Sequence, residues 1–439
     1  MSEAEELSEF LRTGIYRLSN SSGVFVDPVR VLNRYYSTYQ VSPSAYYSRF
    51  FQSGQQRQQQ QQQTRPTATT SRKRKRPATE PRSHNLNQAE TLAQLRHQEV
   101  RPLLVKAHES LLEAIDLLSV LPRLRNISST SENLNVAGWN NLWLSLGHTG
   151  ELPCSTSLLT FTQVGFTPPI MRSSSDATAP SSSDDRKVLP VFNNLIANDT
   201  TYDVEAEFLD HQYIIPRKSC FLMSDMVHIN KLIPENSDSG FNLIVIDPPW
   251  ENGSARQKSM YPTLPNKYFL SLPIKKLAHS EGALVALWVT NREKLRNFVE
   301  RELFDKWEVK HVATYYWLKV KADGSLISEL DLFHHRPYEC LLLGYCYGDV
   351  SNSTQKIAFK HIQDNVIISV PGGYSRKPPL AELLKEFVPG SKPEKCIELF
   401  AREMASGWTS WGNEPLHFQD SRYFSKNISE ESYSLQCIS

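Results

Sequence analysis

The sequence predicts an α/β protein, in which a three-layer sheet domain follows a smaller, mostly helical module. Two short runs, residues 243–246 and 283–289, contain only apolar side chains, as is typical of strands buried on both faces. Residues 292–304 and 379–387 have the apolar spacing of helices. Because short buried strands that alternate with helices pack as helix, sheet and helix, these patterns predict the α/β fold.

Length and composition limit the class of protein. At 439 residues the chain exceeds one average domain and can bury a large core. The 48 Lys and Arg residues nearly balance the 47 Asp and Glu residues, so any basic surface for nucleic acid must be local. Six scattered cysteines without a CxxC pair argue against structural zinc and predict a reducing compartment. Since there is neither a signal peptide nor an apolar run of about 18 residues, we expect a soluble intracellular protein without a membrane segment.

The first part of the chain divides by composition. Residues 1–52 include an apolar and aromatic stretch, which we expect to dock on folded structure. Residues 53–87 are rich in Gln, Ser and Thr and too polar to offset the entropy of ordering, so we predict a disordered linker. Residues 89–120 have apolar side chains at three- and four-residue spacings, which predicts helix with a break at Pro102, inside a helical module that spans residues 88–171. We expect this module to pack or to bind a partner, without chemistry of its own.

Two further boundaries follow. Residues 172–187 are rich in Ser, Asp and Pro and predict a flexible linker between the helical module and the sheet domain. The sheet domain then covers residues 188–425, and residues 426–439 form a flexible tail.

A basic run lies inside the disordered linker. It consists of Arg72, Lys73, Arg74, Lys75 and Arg76. Adjacent cations in a flexible segment are typical of signals that bind an acidic groove on a nuclear import receptor. We therefore expect an import receptor as a partner and a nuclear location, with a cytoplasmic fraction. The alternatives are a tail that contacts RNA nonspecifically and a solvated run of charge.

The motif that carries chemistry is Asp247-Pro248-Pro249-Trp250, directly after the apolar run 243–246. In an open α/β sheet, ligands bind at the carboxyl ends of the strands, so this motif stands where a site is expected. The Asp247 carboxylate and the Pro248 carbonyl can accept the two N–H bonds of an adenine amino group and direct its lone pair at a methyl group. The two prolines fix the carbonyl direction, and Trp250 offers a flat face for a base taken out of its stack. The alternative is an ordinary turn after a strand.

From this motif onward the sequence resembles the MT-A family of eukaryotic N6-adenosine methyltransferases, over roughly residues 220–420. Residues 24–33 and 42–47 are similar to the N-terminal pattern of one branch of that family. The segments that support the resemblance are Ser224-Asp225-Met226, Trp317-Leu318-Lys319, Ser375-Arg376-Lys377-Pro378, residues 398–402 and residues 407–414.

The resemblance implies a Rossmann-like methyltransferase fold with permuted order, in which the catalytic motif precedes the cofactor segment. It implies S-adenosylmethionine as the cofactor and no metal. The residues expected to bind this cofactor are Asp225 and Met226 at its adenine, Asp247 at the reacting end, Lys319 at the methionine carboxylate, and Arg402, Asn413 and Glu414 at the ribose. In the family's messenger-RNA enzyme a His-Asn pair follows the arginine that matches Arg402, whereas Glu403-Met404-Ala405 follows it here.

Substrate contacts are expected from Trp250 and from four further side chains. Tyr261 can cover the base or the cofactor from a loop, and Arg336, Arg376 and Lys377 offer cations to a phosphate backbone. The alternative for each is an exposed loop or surface turn. His334 and His335 are adjacent and lack the spacing to converge on a metal ion.

By resemblance, the expected substrate is RNA in the nucleus, an internal 2′-O-methyladenosine of U2 small nuclear RNA that becomes N6,2′-O-dimethyladenosine. DNA is the second expected substrate. The rival from another class is a catalytically silent partner that only binds RNA or another subunit. Silent members of the family have lost the acidic or aromatic position of the motif, and Asp247 and Trp250 are both present here. We expect the enzyme to act as a monomer.

Overall fold

The computed structural model describes residues 3–47, 87–125, 159–160, 191–208, 211–251, 263–333, 335–347, 359–390 and 394–426. The predicted basic run 72–76, the linker 172–187, the tail beyond residue 426, Tyr261 and His334 lie outside the described residues.

Sixteen strands are formed by the described residues, and twelve of them make one sheet. In chain order they are β1 Ile15–Arg17, β2 Gly23–Val26, β3 Tyr39–Val41, β4 Leu159–Thr160, β5 Leu195–Asn198, β6 Val204–Phe208, β7 His211–Ile215, β8 Ser219–Met223, β9 Leu243–Ile246, β10 Ala283–Val289, β11 Val309–Lys319, β12 Tyr338–Cys346, β13 Asn365–Ser369, β14 Cys396–Leu399, β15 Trp408–Gly412 and β16 Phe424–Lys426.

The helices are short except for one. They are α1 Glu3–Thr13, α2 Pro28–Asn33, α3 Pro43–Tyr46, α4 Gln88–Glu113, α5 Ile115–Val120, α6 Ile274–Leu277, α7 Glu293–Phe298, α8 Phe304–Lys306 and α9 Ala381–Leu384. A π-helical turn, Val299–Leu303, joins α7 to α8, and 3-10 turns cover Leu121–Arg123, Met226–Leu232, Ser237–Ser239, Asn266–Ser271, Lys385–Phe387 and Ser421–Tyr423. Within the described ranges, none of the helices has the length and apolar character needed to cross a membrane.

The large sheet has the order β1-β2-β13-β11-β12-β10-β9-β14-β15-β8-β5-β4. Strands β8, β15, β14, β9 and β10 are parallel neighbours, and β12 runs antiparallel between β10 and β11. The carboxyl ends of β8, β9, β10, β11, β13, β14 and β15 therefore meet at one edge, together with the amino end of β12. We call this edge the carboxyl edge.

Burial on both faces explains the apolar runs. Every residue of β9 and of β10 is buried, so both predicted strands are confirmed with their predicted bounds. Because side chains alternate across a strand, Ile244 and Ile246 join one hydrophobic cluster while Leu243 and Val245 join the cluster on the other face.

The N-terminal segment is part of this sheet. Strand β2 pairs in parallel with β13, with Phe25 opposite Ile368, and Phe25 is fully buried. Asp27 begins α2 because its Oδ1 atom accepts the N–H groups of Val29 and Arg30.

Helix α4 packs on the same core. Its buried face includes His97, Leu104 and Leu111, and the two leucines belong to the cluster that contains Ile244 and Ile246. Asn87 and Glu90 form a capping box at its start. The expected break at Pro102 is wrong, since the helix continues through this residue to Glu113. Packing of the apolar face offsets the one backbone hydrogen bond that proline cannot make.

Candidate active site

The motif 247–250 forms a tight turn at the carboxyl edge. The Asp247 N–H donates to the Leu399 carbonyl at 3.2 Å, which ties the end of β9 to the end of β14. The Trp250 N–H donates to the Pro248 carbonyl at 2.8 Å, and the Leu264 N–H donates to the Pro249 carbonyl at 3.0 Å. The Pro248 carbonyl thus has a fixed direction and still has a second lone pair for another donor.

Trp250 does not offer an open face, so the expected role as a stacking platform is wrong in this structure. Its side chain is only 5% exposed, and its Nε1–H donates to the Trp288 carbonyl at 2.8 Å. The edge of Phe269 packs against its ring at a centroid distance of 5.0 Å. Because the ring is inserted in the core, Trp250 anchors the Asp-Pro-Pro turn to β10.

A chain of alternating charges surrounds Asp247. The Lys377 Nζ atom lies 3.0 Å from Asp247 Oδ2 and 3.5 Å from Glu339 Oε2. Lys319, at the end of β11, is ion-paired with the other oxygen of Glu339, and its Nζ atom lies 4.3 Å from the centre of the Trp317 ring. Lys377 was expected to face a phosphate backbone. Its ammonium group is instead enclosed between two carboxylates.

The charge states of the two carboxylates follow from this arrangement. Burial raises the pKa of Asp247, and the ammonium group of Lys377 opposes that rise. Burial would also raise the pKa of Glu339, but Lys319 and Lys377 outweigh it and lower that pKa to about 2. Glu339 is therefore a permanent anion that holds two cations at the site.

Glu398, in β14, is a third carboxyl group of the same cleft, which Asp247, Lys377 and Arg402 also line. Burial raises its pKa to about 8, and the negative charges of Asp247 and Glu403 contribute to the rise. Near neutral pH its carboxyl group is thus largely uncharged and can donate a hydrogen bond into the cleft.

Arg376 is among the residues that line the cleft, but its guanidinium group is buried and paired with Glu403, so its predicted contact with substrate is wrong. The residue is 3% exposed, and its Nε–H donates to Glu403 Oε2 at 3.0 Å. The guanidinium carbon lies 4.2 Å from the Tyr46 ring centre and 4.3 Å from that of Phe418. Arg376 therefore joins the N-terminal segment to the end of the sheet domain.

Arg336 is also engaged elsewhere, and its expected role as a phosphate contact is not supported. Its Nη1 atom donates to the Ala93 carbonyl at 3.2 Å and its Nη2 atom to Gln94 Oε1 at 2.8 Å. A third bond, from Nε, reaches the Leu332 carbonyl at 3.2 Å. The bonds to Ala93 and Gln94 attach the loop before β12 to the first turns of α4.

The residues expected at the cofactor converge on adjoining strand ends. Asp225 follows β8, and Asn413 follows β15, whose Gly412 pairs with Met223. Oδ1 of Asp225 accepts the N–H groups of Val227 and His228 and so starts a 3-10 turn at Met226.

Arg402 and Glu414 meet with a residue that the sequence analysis missed. The Arg402 Nη2 atom lies 2.8 Å from His417 Nε2, and Glu414 Oε2 lies 3.4 Å from both Arg402 Nε and His417 Nδ1. Since a guanidinium group only donates, His417 Nε2 must accept and Nδ1 carries the proton. Burial, with the nearby cations Arg402 and Arg376, lowers the pKa of His417 to about 2 and keeps its ring neutral. His417 thus places an imidazole beside Arg402, where the sequence lacks the family's His-Asn pair.

This donor set fits S-adenosylmethionine. Asp225 and Asn413 are exposed at their strand ends, where a carboxylate and an amide can bind adenine and ribose groups. Two ammonium groups and Asp247 lie further along the same edge, suited to the amino acid end of the cofactor. The individual contacts of Asp225, Met226, Lys319, Arg402, Asn413 and Glu414 stay predictions.

The comparisons with known proteins agree with this geometry. The MT-A70 family model matches residues 241–414. The match includes the Asp-Pro-Pro-Trp turn, Lys319, Lys377 and Arg402, so the chain is similar to the MT-A70 family over these residues. The domain has the fold of S-adenosylmethionine-dependent methyltransferases, and the predictions of an α/β Rossmann-like fold and of this cofactor are confirmed.

Three curated proteins resemble this chain over about half of its length. The chain is 38% identical to the mouse N(6)-adenine-specific methyltransferase METTL4 over 241 residues, and this aligned region covers 54% of the chain and 50% of that protein. It is 31% identical over 218 residues to the N6-methyladenosine RNA methyltransferase MTA1 of Pyricularia oryzae, 48% of this chain and 56% of that protein. It is 34% identical over 221 residues to the DNA N6-methyl methyltransferase of Caenorhabditis elegans, 50% of this chain and 57% of that protein. The chain thus spans about half the length of the curated relatives it matches. The expected resemblance to the METTL4 branch is confirmed by this identity, while the N-terminal pattern of residues 24–33 and 42–47 stays a prediction.

Proposed function

We propose that this chain transfers a methyl group from S-adenosylmethionine to the N6 amino group of an adenine in nucleic acid. The observation that carries the proposal is the position of Asp247 and the Pro248 carbonyl at the carboxyl edge, inside the MT-A70 match and beside the ammonium group of Lys377. The relatives named as N6-adenine methyltransferases support the same reaction.

The chain's own groups suit this chemistry. S-adenosylmethionine supplies an activated methyl group on a sulfonium ion. Asp247 and the Pro248 carbonyl each accept one N–H bond of the adenine amino group, which withdraws its lone pair from the ring and directs it at that methyl group. With the cofactor bound, the nitrogen would gain the new N–C bond and the S–C bond of the sulfonium would break. Asp247, whose pKa burial raises, then accepts the proton that the nitrogen loses and passes it to water.

For the substrate, we propose the 2′-O-methyladenosine of U2 small nuclear RNA, with N6,2′-O-dimethyladenosine as the product. The resemblance to the METTL4 branch supports this choice. DNA is the alternative, which the name of the Caenorhabditis elegans relative favours. A silent partner fits the site less well, because the acidic and aromatic positions of the motif are both intact.

We further propose that the enzyme works as a monomer in the nucleus. The monomer is supported by the packing at β13, where β2 of the same chain pairs with this strand and α4 of the same chain packs against both. The run Arg72–Arg76 supports recognition by a nuclear import receptor.

The test compares matched oligonucleotides. Wild-type protein receives labelled S-adenosylmethionine and RNA of one sequence, with and without 2′-O-methyl on the target adenosine, or the corresponding DNA. We expect label in RNA, more with the 2′-O-methyl group, and N6,2′-O-dimethyladenosine on digestion. Transfer to DNA alone would keep the reaction and replace the substrate. No transfer to any oligonucleotide, with no cofactor binding by calorimetry, would favour the silent partner.

A further inference from the structure

Helix α4 makes a series of polar contacts with the segment that joins β11 to β12. Near the start of α4, Arg336 donates to Ala93 and Gln94. Near the end of α4, His108 Nε2 lies 2.9 Å from the Gly324 carbonyl oxygen. Between these, Arg101 forms two hydrogen bonds with Asp331, at 2.8 and 3.0 Å. The helix is thus fastened to this segment along much of its length.

His97 is the buried centre of these contacts. Its side chain is inaccessible to solvent, its Nε2 atom lies 3.0 Å from Asp331 Oδ1, and its Nδ1 atom lies 3.0 Å from the Tyr338 hydroxyl. Hydrogen bonds from Arg101 and His97 lower the pKa of Asp331, which is therefore an anion that only accepts. It follows that His97 Nε2 donates to Asp331, and that the Tyr338 O–H donates to His97 Nδ1. Burial lowers the pKa of His97, in agreement with this neutral form.

Tyr338 is held on two sides. Its hydroxyl bonds to His97, and its carbonyl accepts the Asn291 Nδ2–H at 2.6 Å. The next residue is Glu339, whose side chain points to the opposite face of the strand and holds Lys319 and Lys377. Lys377 in turn contacts Asp247. The buried hydrogen bond from Tyr338 to His97 therefore connects α4 to the strand end that carries the charge network of the site.

We propose that His97 and Tyr338 are positioning residues for methyl transfer, which act by fixing Glu339 and, through it, the two lysines beside Asp247. The inference rests on the proposed function for its kinetic readout. Helix α4 thus helps to arrange the reacting groups, although none of its residues touches them.

The test makes the same substitution, tyrosine to phenylalanine, in two separate variants, one at each end of β12. Tyr338→Phe removes the hydroxyl that bonds to His97. Tyr345→Phe is the matched control, since this hydroxyl is also bonded, to the carbonyls of Lys360 and Phe387, but at the far end of β12. We expect kcat to fall roughly tenfold or more in Tyr338→Phe with little change in the KM for S-adenosylmethionine, because small misplacements of reacting groups are costly. Tyr345→Phe should keep the wild-type kcat.

Two further measurements separate positioning from general damage. If His97 acts through Glu339, then His97→Ala should reduce kcat much less in the Glu339→Gln background than in wild type. Hydrogen exchange at the backbone amides of residues 338–340 should speed up in Tyr338→Phe and His97→Ala and stay unchanged in Tyr345→Phe. Unchanged exchange or unchanged kcat in Tyr338→Phe, equal loss in Tyr345→Phe, or fully additive effects with Glu339→Gln would overturn the inference. Wild-type protein that transfers no methyl group would contradict the proposed function, and the exchange experiment would still decide on the positioning role.

Discussion

The Nζ atom of Lys377 lies 3.0 Å from the Oδ2 atom of Asp247, the residue to which we assign the adenine amino group. Both side chains are largely withdrawn from solvent, with 12% and 19% of their surface exposed, so water screens the attraction only weakly. Lys377 therefore sets the charge of the reacting carboxylate.

Replacing Lys377 tests this role. In Lys377→Met the burial that raises the pKa of Asp247 is no longer opposed, so that pKa rises further and Asp247 is protonated at a higher pH. We expect the acidic limb of the pH profile of kcat/KM to move to higher pH, with part of the activity recovered as pH increases. Lys275→Met, at an exposed ion pair with Glu308, is the control. An unshifted acidic limb would show that Lys377 does not govern the ionisation of Asp247.

Trp250→Phe distinguishes an anchor from a stacking platform. The substitution keeps an aromatic ring but leaves the Trp288 carbonyl without its indole donor, which should cost about 1 to 3 kcal/mol of folding free energy. We expect lower stability in urea and lower kcat, with oligonucleotide affinity near that of wild type. Trp307→Phe removes a similar buried indole bond, to the Phe269 carbonyl, and should lower stability but spare kcat. Weaker oligonucleotide binding with unchanged stability would restore the stacking role.

Arg376→Ala should act on stability and not on substrate contact. Glu403 would keep a charge in the interior without its partner, and the packing of Tyr46 and Phe418 around the guanidinium would be lost. We expect a loss of about 3 to 5 kcal/mol in the free energy of unfolding, measured with urea. Arg12→Ala, at an exposed pair with Glu9, should show no measurable change. Wild-type stability combined with weak RNA binding would identify Arg376 as a substrate contact after all.

His417 predicts how stability depends on pH. Its pKa is lowered to about 2 in the folded protein, while a histidine of the unfolded chain titrates near 6.5. Since the unfolded state then binds the proton and the folded state does not, this residue reduces stability as pH falls below about 6.5. His417→Gln should remove roughly 1 kcal/mol of the stability lost between about pH 7 and pH 5.5. Urea unfolding at both values measures this, with the exposed His361→Gln as control. An unaltered loss in His417→Gln would mean that His417 is protonated in the folded protein.

Part of this fold and site could be predicted from sequence because local patterns determine it. The uninterrupted apolar runs define β9 and β10, and Asp247 follows the first of them, so its place at the carboxyl edge needs no tertiary information. Asp225, which follows β8 and caps the next turn, was expected from the family resemblance and not from a strand pattern of its own.

Other features depend on contacts between distant segments. Arg376 looks like an exposed turn cation in the sequence, and only the approach of Tyr46 and Phe418 encloses it. His417 is one histidine among 12 in the chain, and its meeting with Arg402 requires the loop after β15 to fold back on β14. Glu339 is the second residue of β12, and its pairing with two lysines requires the order of strands in the sheet, which local patterns do not give.

The most direct test of the proposed reaction is the yield of N6-methylated adenine from wild type and from Asp247→Asn, with Asp305→Asn as an exposed control. The amide has the shape of the carboxylate but can neither carry its charge nor take the proton. We predict that Asp247→Asn binds S-adenosylmethionine and forms at least about a hundredfold less product, on the scale of one lost charged contact in a reacting group, while Asp305→Asn equals wild type. Wild-type product yield from Asp247→Asn would contradict the assignment of the site.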